Sequence, residues 1–103
     1  MFDKEKFIKN NNEFLYSKLL DFLDCEVKLR NMDRVLVILS NGPQSTIRYE
    51  GNQYAMYRSA YSKEILIVDE ISVEHGVSFK QAMFTLHAEE LIELIRAKYR
   101  CPK

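Results

Sequence analysis

Tryptophan is absent from this sequence, and glycine, proline, cysteine and histidine are scarce. Each scarcity closes off a class of chemistry. The three glycines, Gly42, Gly51 and Gly76, are too scattered for a GxGxxG or P-loop phosphate cradle, and each stands where a turn or a helix stop needs it. The two cysteines, Cys25 and Cys101, lie far apart and form no CxxC, which argues against a zinc ribbon or a disulfide-stapled scaffold. The histidines, His75 and His87, form no HExxH, and neither stands beside a cysteine. Net charge is missing too: fifteen basic side chains cancel fifteen acidic ones, so no global field draws in nucleic acid or an anionic membrane.

Long apolar runs are also lacking. The longest, Val35 to Leu39, is far short of the ~20 residues that span a bilayer. The first seven residues, Met1-Phe2-Asp3-Lys4-Glu5-Lys6-Phe7, place charge where a secretory signal needs an apolar core. Cytosol is therefore the expected location and reduced thiols the expected state. With no internal repeat and no Pro/Gly/Ser linker, the 103 residues are expected to form one domain.

What the sequence does contain is periodicity. From Glu13, the residues Phe14, Leu15, Leu19, Phe22 and Leu23 recur at helical spacing, and the pattern extends upstream through Phe7 and Ile8 across Asn10-Asn11-Asn12. Cys25, Val27 and Leu29 then alternate with Glu26, Lys28 and Arg30, which reads as a half-buried strand, with a continuing helix as the competing reading. Arg34 to Ser40 is β-branched and apolar on both sides, the pattern of an interior strand, and Asn41-Gly42-Pro43-Gln44 is a turn. Residues 46–50 and 53–57 flank Gly51-Asn52, which suits a two-residue hairpin pairing Tyr49 with Tyr54 and Ile47 with Met56. Glu64 to Val68 is a further strand, and residues 69–75 form a helical turn that stops at Gly76. Ser78 and Gln81 match a capping box opening a helix that buries Phe84, Ala88, Leu91 and Ile95. The fold class is α+β: an antiparallel four- or five-stranded meander flanked by an N-terminal and a C-terminal amphipathic helix.

Two stretches have likenesses elsewhere. Residues 74–82 resemble part of the BrnT family of small toxins, and the helix leading into residues 22–31 is similar to the start of an Sm-type domain. The first stretch stands at a different chain position and the second lacks the glycines of that fold's bent strands, so no activity or residue role carries over.

No metal or cofactor is expected. His87 and Glu90 share a helix face but supply two ligands where a site needs three or four. Three function classes remain. The first is a non-catalytic protein-binding module: an adaptor, a regulatory subunit or a small inhibitor. Inhibitors made by phages and other mobile elements are often motif-poor single domains, and that is an analogy with this chain. Its expected contact surface is the corner formed by Arg48, Tyr57, Arg58 and Tyr61, residue types enriched in binding hot spots. The second class is a single-stranded nucleic-acid or nucleotide binder using the same aromatic and basic residues, disfavoured by the interleaved acidic groups. The third is an enzyme whose site is assembled from residues distant in sequence. Self-association is also expected. If both helices pack on the Ile47/Met56 face, the opposite face, with Val35, Val37, Leu39, Leu66 and Val68, becomes an apolar dimer interface. One helix on each face would remove that need.

Overall fold

The computed structural model describes residues 2–40 and 46–99. The expected turn at residues 41–44 and the state of Cys101 lie outside the described residues. Ten elements follow in order: α1 (Lys4–Asn10), α2 (Glu13–Glu26), α3 (Met32–Leu39), β1 (Ile47–Glu50), β2 (Tyr54–Arg58), β3 (Glu64–Asp69), α4 (Glu70–Glu74), α5 (Phe79–Ala82), β4 (Met83–His87) and α6 (Ala88–Tyr99). The strands form one antiparallel meander, β1-β2-β3-β4. The α+β class and a four-stranded sheet between terminal helices are therefore as the sequence indicates.

The asparagine run divides two helices and opens the second. Asn11 closes α1 and Asn12 caps α2, its Oδ1 accepting the Leu15 N–H at 2.7 Å. After Glu26 the chain turns instead of forming a strand, because the Asn31 side chain accepts the Lys28 N–H and donates to the Glu26 carbonyl. The expected alternation holds at Val27, which is buried, and fails at Glu26, which is buried, and Leu29, which is exposed. At the far end of α2, Lys98 and Tyr99 of α6 donate to carbonyls of Leu23 and Val27 that the helix leaves unsatisfied.

Two segments take the opposite structure from their local pattern. Residues 34–40 are helical, with Val35 and Leu39 one turn apart and buried against the core while Val37 points to solvent. A β-branched preference is worth at most ~1 kcal/mol along such a segment, less than burying two aliphatic side chains beside α6. Conversely, the helix expected from Ser78 stops after Ala82 and becomes β4. A strand turns both Phe84 and Leu86 inward and pairs five residues with β3. A continuous helix would set Leu86 on the side opposite Phe84, forgoing about 2 kcal/mol of burial and a whole ladder, against helix propensities of a few tenths per residue. Ser78 does occupy the N-cap position of α5, but its side chain makes no cap bond.

The stop after α4 is a Schellman motif. Gly76, at φ +92°, lets the Val77 N–H reach the Ser72 carbonyl and the Gly76 N–H reach that of Val73.

The two sheet faces are treated unequally. Ile47, Tyr54, Met56, Ile65, Ile67, Phe84 and Leu86 form one face and share a core with Phe7, Leu19, Phe22, Val35, Leu91 and Ile95, so α1, α2, α3 and α6 all lie on that side. Among the described residues the second face carries only the short α4 and α5, and Ala55, Val68 and the Ala82 of α5 are buried there outside the main core.

Candidate functional site

The hairpin register decides which side chains reach the second face. Tyr49 pairs with Met56 and Ile47 with Arg58, so pairing slips by two from the expected register and the turn centres on Asn52-Gln53. An even slip keeps every side chain on its expected face. Ile47, Tyr49, Tyr54 and Met56 still face the helices, and Arg48, Tyr57, Leu66 and Thr85 still face away.

Glu26 explains the shifted turn. Its buried carboxylate accepts the N–H groups of Asn52, Gln53 and Tyr54 at 3.1, 2.6 and 2.9 Å. A Cβ on Gly51 would stand 2.0 Å from its Oε1, so the position needs glycine for room. Beside it, Asp69 is fully buried, ion-paired with Lys18, and accepts from Ser72 Oγ at 2.8 Å and Ser72 N at 3.1 Å. Burial pushes its pKa up, but the hydrogen bonds from Lys18 and Ser72 outweigh that and hold it below the ordinary aspartate value. The Tyr54 hydroxyl donates to Asp21 at 2.6 Å, and burial followed by that carboxylate pushes its pKa well up. Lys18 also lies 3.2 Å from Ser72 Oγ. An ammonium committed to Asp69 takes no proton from a serine, so this is a structural lock and not a nucleophile–base pair.

At the opposite end of β2 the second face is open. A groove of about 490 Å³ runs over it, lined by Arg48, Tyr57, Arg58, Ser59, Ser62, Glu64, Leu66 and Thr85 among others. Tyr57 and Leu66 supply its half-buried apolar floor, and the Tyr57 hydroxyl donates to Glu70 of α4 at 3.0 Å. Burial, then that carboxylate, raises the Tyr57 pKa. Arg48 is exposed at the rim and paired with Glu50 at 3.1 Å. Tyr61 stands at the tip of the β2–β3 turn, 76 % exposed, with φ +66°. A bulky residue in the left-handed region costs about 1–2 kcal/mol.

Of the four residues expected at this corner, the structure brings Arg48, Tyr57 and Arg58 to one groove, with Tyr61 on the adjoining turn. Arg58 differs from expectation in being buried, 7 % exposed, on the helix-covered side of β2. It also lines a second cavity of about 330 Å³ with Lys63, His87 and Glu89. The five residues expected at a dimer interface do not share a surface. Val35 and Leu39 are buried in α3, Val68 is buried on the second face, and Val37 is exposed on α3, leaving Leu66 in the groove. The doubly apolar strand that motivated that interface is a one-sided helix.

The buried carboxylates escaped sequence reasoning. Asp69 carries a local signal, an acidic N-cap ahead of Ser72, but Glu26 has none, because its partners arrive with a hairpin twenty-six residues later. His87 and Glu90 were expected on one helix face; instead His87 ends β4, and the Glu90 carboxylate accepts its N–H at 3.1 Å and caps α6. Among the described residues, no group of three or more His, Cys, Asp or Glu converges to hold a metal, and no helix is long and apolar enough to cross a membrane. Cys25 is a free thiol, its pKa raised by burial and by Asp21. No family model, no curated protein and no solved structure matches the chain.

Proposed function

We propose that this chain is a non-catalytic protein-binding module that seats its partner on the open half of the second sheet face. One observation carries the reading: among the described residues, α4 and α5 cover that face at the Ala55/Val68 end, leaving Tyr57 and Leu66 as the floor of a groove. A tyrosine and an aliphatic side chain inside a polar rim have the anatomy of a binding hot spot and its surround. The exposed, left-handed Tyr61 beside the groove supports the same location, since strain of this kind persists where the surrounding structure holds it for use. The rim mixes Arg48 with Glu50 and Glu64, which suits a protein surface of mixed charge better than a polyanion. An adaptor, a regulatory subunit and a small inhibitor all fit this architecture.

The test compares wild type with Leu66→Asp, each checked by circular dichroism and immobilised as bait in lysate of its own host. Proteins retained by wild type are purified and their affinities measured against both. Loss of about 1–3 kcal/mol of binding energy in Leu66→Asp, with its fold intact, supports the site. Equal affinity of both baits for every retained protein overturns it. Tight binding of a single-stranded oligonucleotide with a steep salt dependence replaces this reading with the nucleic-acid one.

A further inference from the structure

A meander leaves two strand edges, and this molecule treats them differently. On β4 the Asn11 side-chain amide fills the place of a neighbouring strand: its Nδ2 donates to the Thr85 carbonyl and its Oδ1 accepts the Thr85 N–H, each at 3.3 Å. That edge is closed. On β1 the Gly51 N–H bonds to the Tyr54 carbonyl, and this fixes the alternation along the ladder. Ile47, Tyr49 and Gly51 direct their backbone groups at β2, so Arg48 and Glu50 direct theirs outward. Among the described residues, no hydrogen bond beyond the strand ladder involves the N–H or carbonyl of either. An open edge is a template for another strand.

We propose that β1 pairs with β1 of a second copy of this chain, antiparallel, with the two-fold axis beside Tyr49. Two constraints select that occupant and that register. Within β1 itself, hydrogen-bond parity allows three registers centred on its outward residues: Arg48 opposite Arg48, Glu50 opposite Glu50, or Arg48 opposite Glu50. The first two set like charges directly across the ladder, and the third sets opposite charges across it twice. In the third register the two residues of each Arg48–Glu50 pair exchange both backbone hydrogen bonds, and the two Tyr49 residues meet at the close, non-hydrogen-bonded position. Ile47 then lies across from Gly51 of the second copy. Both side chains are available for this, exposed at 74 % and 57 %, and Arg48 already holds Glu50 of its own strand at 3.1 Å. The contact is short, so it gives a concentration-dependent equilibrium and not an obligate dimer. It joins two four-stranded sheets into one of eight strands and aligns the two open grooves on the same side.

The experiment is sedimentation velocity on the full chain from ~10 µM to ~1 mM, comparing wild type with Arg48→Glu, Glu50→Arg and the double variant carrying both. Wild type shows a dimer fraction that rises with concentration. Each single variant weakens the association constant roughly tenfold, because two like-charge pairs replace two complementary ones in every dimer. The double variant, which keeps opposite charges facing with their signs exchanged, returns to within about threefold of wild type. In the wild type, amide exchange slows at Arg48 and Glu50 as concentration rises, while the Tyr49 amide, already bonded to β2, does not change. A monomer throughout the range overturns the proposal. So does a dimer whose strength ignores the single variants, or a double variant as weak as either of them. None of these outcomes depends on the groove around Leu66, so failure here is distinguishable from failure of the protein-binding reading.

Discussion

The two ends of β2 show opposite treatments of polar groups. At the Gln53–Tyr54 end the carboxylates of Glu26 and Asp69 are withdrawn from water, and each is met by hydrogen-bond donors: three backbone N–H groups for one, Lys18 and Ser72 for the other. At the Tyr57–Tyr61 end an aromatic floor stays half open and a tyrosine is held exposed in a left-handed conformation. The first end is arranged for a fixed structure. The second leaves apolar contact area half open and holds backbone strain at Tyr61, which is why the binding proposal rests there.

The largest expected effect breaks the locked end. Lys18→Met strands a fully buried Asp69 carboxylate and is expected to destabilise the domain by about 3–5 kcal/mol at pH 7, read from urea midpoints at constant slope. The pH dependence carries a sign that checks the cause. In wild type the folded pKa of Asp69 lies below the unfolded value near 3.9, so its contribution is fully present above that value and is lost as pH falls through the folded pKa. Without Lys18, burial acts against fewer opposing bonds and the folded pKa rises. The deficit of Lys18→Met relative to wild type therefore shrinks as pH is lowered from 6 towards 3. A deficit that stays constant over that range rules out the ion pair as its origin.

Next in size, Glu26→Ala leaves three inward backbone N–H groups without their acceptor and is expected to lose about 3 kcal/mol. Gly51→Ala drives a methyl into the same carboxylate and is expected to lose about 2 kcal/mol. The two act on one contact, so the double variant falls short of the sum by at least ~1 kcal/mol in a thermodynamic cycle. Additivity would show that the hairpin loop and the end of α2 are independent.

The smallest effect sharpens the contrast from the open end. Tyr61→Gly removes the left-handed penalty and the side chain together, so it is expected to stabilise the domain by about 0.5–1 kcal/mol while weakening partner binding. A variant that is both more stable and fully active would show that Tyr61 is strained for no binding purpose.

Burial was more legible in this sequence than secondary structure. Phe84, Ala88, Leu91 and Ile95 are buried as their spacing requires, although Phe84 reaches the core from a strand and not from the expected helix. Tyr49, Tyr54 and Met56 kept their face through a two-residue slip because a strand repeats every two residues. The shared outward face of Arg48 and Tyr57 was recognisable from the same two-residue repeat. Burial of Arg58 was not, since it depends on where the helices cross β2.

By itself the sequence determined the class, the β1, β2 and β3 strands of the meander, the Gly76 stop and the two terminal helices, because hydrophobic period, turn residues and caps act over a few neighbouring positions. Tertiary structure alone decided that residues 32–39 wind into a helix and that residues 83–87 extend into a strand. In both segments local preference amounts to tenths of a kcal/mol per residue, while burying Val35 and Leu39 or completing the ladder with Phe84 and Leu86 inward contributes several. Tertiary structure alone also brought Glu26 beneath the 51–54 loop, because a buried carboxylate is tolerable only where folding delivers donors to it.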